Sequence, residues 1–205
     1  MVVATNDTVM SSPRAAPVAW SDDGRYLYLS SASRTAWERG VVRFDRTTNT
    51  MQVLAKDERL YGNLRLSRDG TVLIYSAGAG NVPQDLYVAD AGMRGERRLT
   101  QLNPALADVS LARTRLIRYR DADCKTQYGV AYLPADYVSG KAYPTLFSIY
   151  ENFFDDTFDA SLNVLTSQGY VVVKPSVGFE TGFPGEAWLK GVTAAANHLI
   201  EAGIV

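Results

Sequence analysis

The sequence predicts an all-β first half made of two copies of one multi-strand unit, followed by an α/β half with a parallel sheet. Three observations carry this. Residues 20–29 and 66–75 resemble each other, each with a Ser, then Asp-Gly, then an alternating apolar run. Second, later features of each copy recur at the same distance. Third, residues 141–205 read strand, helix, strand, helix.

In each copy the Asp-Gly lies between a short apolar lead-in and an alternating run, the pattern of a tight hairpin. A second alternating strand then ends in Asp, at 41–45 and at 86–90, and a third short stretch closes each copy, at 51–54 and 97–100. Gly24 and Gly70, like Asp45 and Asp90, are separated by about 45 residues, the spacing of β-propeller blades. Two blades do not close a ring, which takes about four to eight, so the expectation is a chain cut from a longer one. Gly78-Ala79-Gly80-Asn81 reads as a hairpin connection; a phosphate-binding loop would open a helix, and none follows.

Composition narrows the function. Hydrophobic residues make up 46% and charged residues 21%, with 21 Lys+Arg against 22 Asp+Glu. This near-balance gives no electrostatic case for nucleic acid or an anionic membrane. No run approaches the roughly 18 consecutive apolar residues of a membrane span, and residues 1–10 lack the basic and apolar segments of a signal peptide. The compartment stays open. Cys124 is the single cysteine and His198 the single histidine. The thiol has no neighbouring base, so it reads as idle, and one Cys with one His makes no zinc site. No metal or other cofactor is expected.

The boundary is expected within 101–108, which gives an all-β part over 1–102 and a second part over 103–205. Strand candidates follow at 115–120 and 128–133, joined by Asp121-Ala122-Asp123. Arg113, Arg115, Arg118 and Arg120 read as basic residues on an exposed strand. A turn over 134–141 leads to an apolar strand over 144–150. Phe158, Leu162 and Leu165 mark a helix over 158–168 that stops at Gly169. Asp155, Asp156 and Asp159 read as acids at its N-terminus, in place of a metal cluster. The apolar run 170–175 is a buried strand. In the helix over 186–202, Trp188, Val192, Ala195 and Leu199 form the apolar stripe, and Gly203 supplies the stop.

The run Gly129-Val130-Ala131-Tyr132-Leu133-Pro134, Tyr143-Pro144 leading a strand, Ser167-Gln168-Gly169-Tyr170-Val171-Val172-Val173, and the turn from Gly182 to Trp188 together resemble the opening of the catalytic domain in the prolyl oligopeptidase family. That family joins a propeller to an α/β-hydrolase domain. The resemblance implies two β-propeller blades followed by the N-terminal half of an α/β-hydrolase domain. It further implies a serine peptidase that cuts short peptides through an acyl-enzyme, with its nucleophile on a Gly-x-Ser-x-Gly elbow. No serine here has Gly at both flanking positions, and His198 lies inside the last helix. The expectation is that the triad lies beyond residue 205 and that the chain alone is inactive.

The resemblance points to Tyr150 as an oxyanion-hole contributor, the competing reading being a core tyrosine at a strand end. Glu151-Asn152 stands where the family has small glycines. Glu151 is a candidate to receive a substrate ammonium, or else is a solvated loop charge. Peptide is the expected partner, with self-association through exposed strand edges, the edge of the strand over 170–175 among them because the later strands of the sheet would be missing. Two alternatives remain: a non-catalytic propeller-type binding module with a degenerate hydrolase half, and an esterase of the α/β-hydrolase class.

Overall fold

The structure, a computed structural model, describes residues 13–33, 39–149, 157–178 and 182–205. It comprises two compact units, Met1–Ala107 and Asp108–Val205.

In the first unit, β1 (Pro13–Trp20), β2 (Tyr26–Ser33), β3 (Arg39–Asp45) and β4 (Thr50–Asp57) form one antiparallel sheet in chain order. A second is formed likewise by β5 (Leu60–Leu66), β6 (Val72–Ala79), β7 (Val82–Asp90) and β8 (Arg97–Arg98). Four strands, each hydrogen-bonded to its sequence neighbour, have the form of a propeller blade.

The sequence repeat is a repeat of hydrogen bonds. Gly24 N–H donates to Ser21 O at 2.8 Å and Gly70 N–H to Ser67 O at 2.9 Å. The Ser21 and Ser67 hydroxyls each donate to an aspartate two residues on, Asp23 and Asp69, both at 2.6 Å. Each hydroxyl also accepts the first N–H of the next strand, from Tyr26 at 2.8 Å and Val72 at 2.9 Å. Gly24 and Gly70 have φ of 65° and 71°, a left-handed conformation open to glycine at little cost. The Ser, the Asp and the Gly therefore recur because one turn needs all three.

The final strand of the second sheet is only two residues long, against the four expected. A side chain takes over from the ladder there. Leu99 N–H still reaches Leu86 O at 2.8 Å, but Leu86 N–H then goes to Thr100 Oγ1 at 2.9 Å, and buried Asp85 accepts Thr100 Oγ1 at 2.7 Å, Leu102 N–H at 2.9 Å and the Arg98 guanidinium.

Asp45 ends β3 and pairs with Arg25, Nη2 to Oδ2 at 2.8 Å, while accepting Thr47 N–H at 2.8 Å. The Arg25 guanidinium, with the turn amides, holds its carboxyl down to about 2, below the usual 3.8. A depressed carboxylate stabilises the fold fully above its unfolded value and loses that contribution as pH falls through the folded one. The melting-temperature gap between the native chain and Asp45→Asn is therefore expected to be constant near neutrality. It should narrow as pH falls from about 4 towards 2, as read in thermal melts across that range.

In the second unit, β9 (Arg113–Arg120), β10 (Thr126–Leu133), β11 (Thr145–Phe147) and β12 (Val171–Pro175) form one sheet in the order β11-β12-β10-β9. β11 and β12 run parallel, and the other pairs are antiparallel. Helix α1 (Ala160–Ser167) connects β11 to β12, and α2 (Pro184–Glu201) follows β12. The sheet places 170–175 differently from the expected exposed edge: β12 is an inner strand, paired on both sides. β11 and β9 are the outer strands.

The strand expected over 144–150 is assigned only at Thr145–Phe147. Its ladder extends one bond each way, from Val171 N–H to Pro144 O at 3.0 Å and from Ser148 N–H to Val173 O at 2.8 Å. Both helices end as their glycines predict. Tyr170 N–H reaches back to Leu165 O at 3.3 Å and Gly169 N–H to Thr166 O at 3.0 Å. Ile204 N–H does the same to Leu199 O at 2.9 Å, with Gly203 N–H to Ile200 O at 3.0 Å. These are paired Schellman bonds.

The buried face of α2 is Ala187, Gly191, Ala195 and Leu199, rotated from the expected stripe; Trp188 is 36% exposed. Small residues win because the helix lies close to the chain leaving β12. A Cβ on Gly191 would sit 2.6 Å from Val177 Cγ1. Leu199 and Ala195 pack with Ile117, Tyr119, Ala131, Leu133, Val171 and Val173.

Candidate functional site

In sheets with parallel strands, ligands bind where the strand carboxyl ends open into loops. Here that end belongs to β11 and β12. β9 runs in the same direction as β12, since both are antiparallel to β10, so the turn after β9 lies at this end too.

Local sequence explains how the end is framed. On the α2 side, Tyr119 near the end of β9 donates its hydroxyl to Ser176 O at 2.5 Å, pinning the chain as it leaves β12. Burial, with the Asp121 carboxylate adding to it, pushes the Tyr119 hydroxyl above the ordinary tyrosine range, so it stays a donor. Asp121 accepts Asp123 N–H at 3.0 Å, Lys125 N–H at 2.9 Å and Gln127 Nε2 at 2.9 Å, which closes the β9–β10 turn. Lys190 of α2 bridges from Glu186 at 2.8 Å to Asp123 at 3.1 Å, tying the helix to that turn.

On the α1 side lie Tyr132 and Lys174, two residues that sequence reasoning missed. Tyr132 is fully buried and donates to Thr157 O at 3.3 Å. Lys174 is only 4% exposed, with its ammonium 5.8 Å from the Tyr132 ring centroid. A lysine inside the apolar run 171–175 was the available signal, because lysine is almost never fully buried unless paired. Asp159 caps α1, its carboxylate accepting Ser161 N–H at 2.8 Å and Leu162 N–H at 3.2 Å. The acid expected at the helix N-terminus is thus a true N-cap. Asn163, also missed, is buried and accepts Ala112 N–H at 2.9 Å while donating to Asp159 O at 2.9 Å.

Tyr150 and Glu151, the two site residues inferred from sequence, lie outside the described residues, as do Asn152, Asp155 and Asp156. The described flanks reach Ile149, next to Tyr150, and resume at Thr157. His198 is half-buried, its ring centroid 6.4 Å from that of Tyr119. Both line an open groove of about 560 Å³ with Arg120, Leu189, Thr193 and Asn197. No serine bonds to His198 among the described residues. Cys124 is exposed in the β9–β10 turn at φ 59°. Among the described residues, no three of His, Cys, Asp and Glu converge on a point where a metal would sit.

Neither a family model nor a curated protein matches the sequence. Solved structures do. A prolyl endopeptidase structure, from a study of inter-domain dynamics in two such enzymes, is similar over 96% of this chain and 30% of its own, at 16% identity and TM-score 0.70. The Pyrococcus horikoshii acylaminoacyl peptidase is similar over 92% of this chain and 30% of its own, at 16% identity and TM-score 0.66. A Mycobacterium tuberculosis puromycin-hydrolysing peptidase is similar over 92% and 31%, at 20% identity and TM-score 0.66. The chain therefore spans less than a third of the length of each structure, and over that span it has the fold that these prolyl endopeptidase and acylaminoacyl peptidase structures share.

Proposed function

We propose that the chain belongs to the prolyl oligopeptidase family and is part of a serine peptidase that hydrolyses peptide bonds in short peptides through an acyl-enzyme. In this reading residues 1–102 are two blades at the end of a propeller, and residues 103–205 are the first half of an α/β-hydrolase domain. The observation that supports it most is the co-occurrence of two four-stranded meanders with a β11-β12-β10-β9 sheet. That succession matches peptidase structures over more than nine-tenths of the chain.

The chemistry assigned to the parent protein needs a serine hydroxyl, a histidine to take its proton and an aspartate to orient the histidine. The developing oxyanion needs donors aimed at it. Tyr150, following β11, is proposed as one such donor. Glu151 is proposed to meet a substrate ammonium. The hydroxyl-activating pair is proposed to be absent from residues 1–205, so that this chain alone has no acyl-transfer activity. Peptide is then the substrate partner, and self-association through exposed strand edges, that of β11 before that of the arginine-lined β9, follows from the same reading.

A fluorophosphonate probe, which captures activated serines, tests both levels. The 205-residue chain is expected to remain unlabelled. The protein encoded by the whole gene is expected to label at one serine, within a Gly-x-Ser-x-Gly elbow encoded soon after Val205. Labelling of the short chain would overturn the inactive reading. A stop codon directly after Val205 would overturn the peptidase reading in favour of a binding module.

A further inference from the structure

We propose that the free edge of β9 is a docking strand for an extended acidic peptide segment. This rests on the strand itself and holds whether or not the parent is a peptidase. β9 is an outer strand of its sheet, so among the described residues its backbone N–H and C=O groups on one side have no ladder partner. Arg113, Arg115, Arg118 and Arg120 are all exposed along its eight residues. Among the described residues no carboxylate pairs with any of the four.

The concentration of charge goes against the surroundings. Residues 108–205 contain eight Lys and Arg against eleven Asp and Glu, and half of those cations lie on this one strand. The arrangement also has a pattern. Ile117 and Tyr119 face the α2 core, so alternation puts Arg113 and Arg115 on that face and Arg118 and Arg120 on the opposite one; Arg120, the last residue of the strand, also borders the groove beside α2.

A strand laid beside β9 sets its residues opposite those of β9 on the same face. An eight-residue partner would meet all four arginines with acids at its first, third, sixth and eighth positions. That pattern is unchanged on reversal, so it serves a parallel or an antiparallel strand. A second copy of β9 would oppose Arg to Arg throughout, because Arg113 would face Arg120 and Arg115 would face Arg118. The edge thus rejects itself and accepts an acidic strand. Nucleic acid is the poorer occupant, since the unit carries more acid than base and a phosphate backbone cannot continue a β-ladder.

The test is fluorescence anisotropy with the full 205-residue chain and three labelled octapeptides. The first is Glu-Val-Glu-Thr-Val-Glu-Thr-Glu. The second, Glu-Val-Glu-Val-Glu-Thr-Glu-Thr, has the same composition, but its strict alternation meets two arginines at most in any register. The third is the first peptide N-methylated at alternate residues. The first is expected to bind at least about threefold tighter than the second, and N-methylation to weaken it about tenfold through loss of ladder bonds. Arg118→Gln with Arg120→Gln should weaken the first peptide and leave the circular dichroism spectrum unchanged. Arg113→Gln with Arg115→Gln provides the same test should the first pair disturb the fold. Equal binding of the first two peptides, insensitivity to N-methylation, or equally tight binding of an eight-nucleotide thymidine oligomer would each overturn the proposal.

Discussion

Replacing Gly40 with alanine is expected to unfold the first four-stranded sheet. A Cβ at this position would lie 1.8 Å from Ala55 O, 2.8 Å from Ala55 C and 3.1 Å from Lys56 Cα. All three are backbone atoms of β4, so no side-chain rotation relieves the clash. The cause is local: the β3–β4 register shifts between Val41 and Val42, where Leu54 is the extra residue and the β4 backbone presses onto Gly40. Val41 and Val42 next to it are fully buried, so the strand cannot move outward without opening the core. Overpacking of this kind costs about 3 kcal/mol or more, a large share of the roughly 5–15 kcal/mol that holds a domain folded. Urea titration of the native and variant chains reads the difference. An unchanged midpoint would mean that the bulge relaxes at no cost.

The second large effect is expected from Leu199→Ala. Leu199 is fully buried and joins α2 to the β9, β10 and β12 strands. Truncating such a leucine costs about 2–5 kcal/mol, from lost apolar burial and the cavity left behind. The backbone bond from Ile204 N–H to Leu199 O survives the substitution, so the loss reports packing and not the helix stop. Ile200 next to it is 63% exposed, and Ile200→Ala should change stability by no more than about 0.5 kcal/mol. The helical circular dichroism signal during denaturation separates the two, because both described helices lie in this unit. Equal losses for the two variants would show that α2 does not pack as described.

Where a residue type has one physical job, the sequence disclosed the structure. Ser, Asp and Gly in 21–24 and 67–70 build one turn, so their recurrence announced a repeated sheet. Gly169 and Gly203 end helices because the backbone there needs a residue without a Cβ. The buried face of α2 was hidden for the converse reason. A stripe chosen by side-chain size selects Trp188 and Val192, while close packing against Val177 selects Ala187 and Gly191. Sheet order was also hidden. Nothing in 170–175 says that it inserts between β11 and β10, since an apolar run looks the same wherever both its faces are covered. Lys174 was visible as a charge in an apolar strand, but its burial beside Tyr132 depends on that insertion.

The insertion of β12 bears on how the chain must fold as it is synthesised. Each meander in the first unit zips between neighbours, with hairpins closed by their own turn side chains, so it can form as soon as its strands emerge. β10 has no such convenience. Its second partner, in the pairing of Val130 with Lys174, arrives about 44 residues later, and distant pairings of this kind form slowly. Until then the nascent chain carries a half-bonded strand, and that interval is when a stray β-strand can most readily capture it.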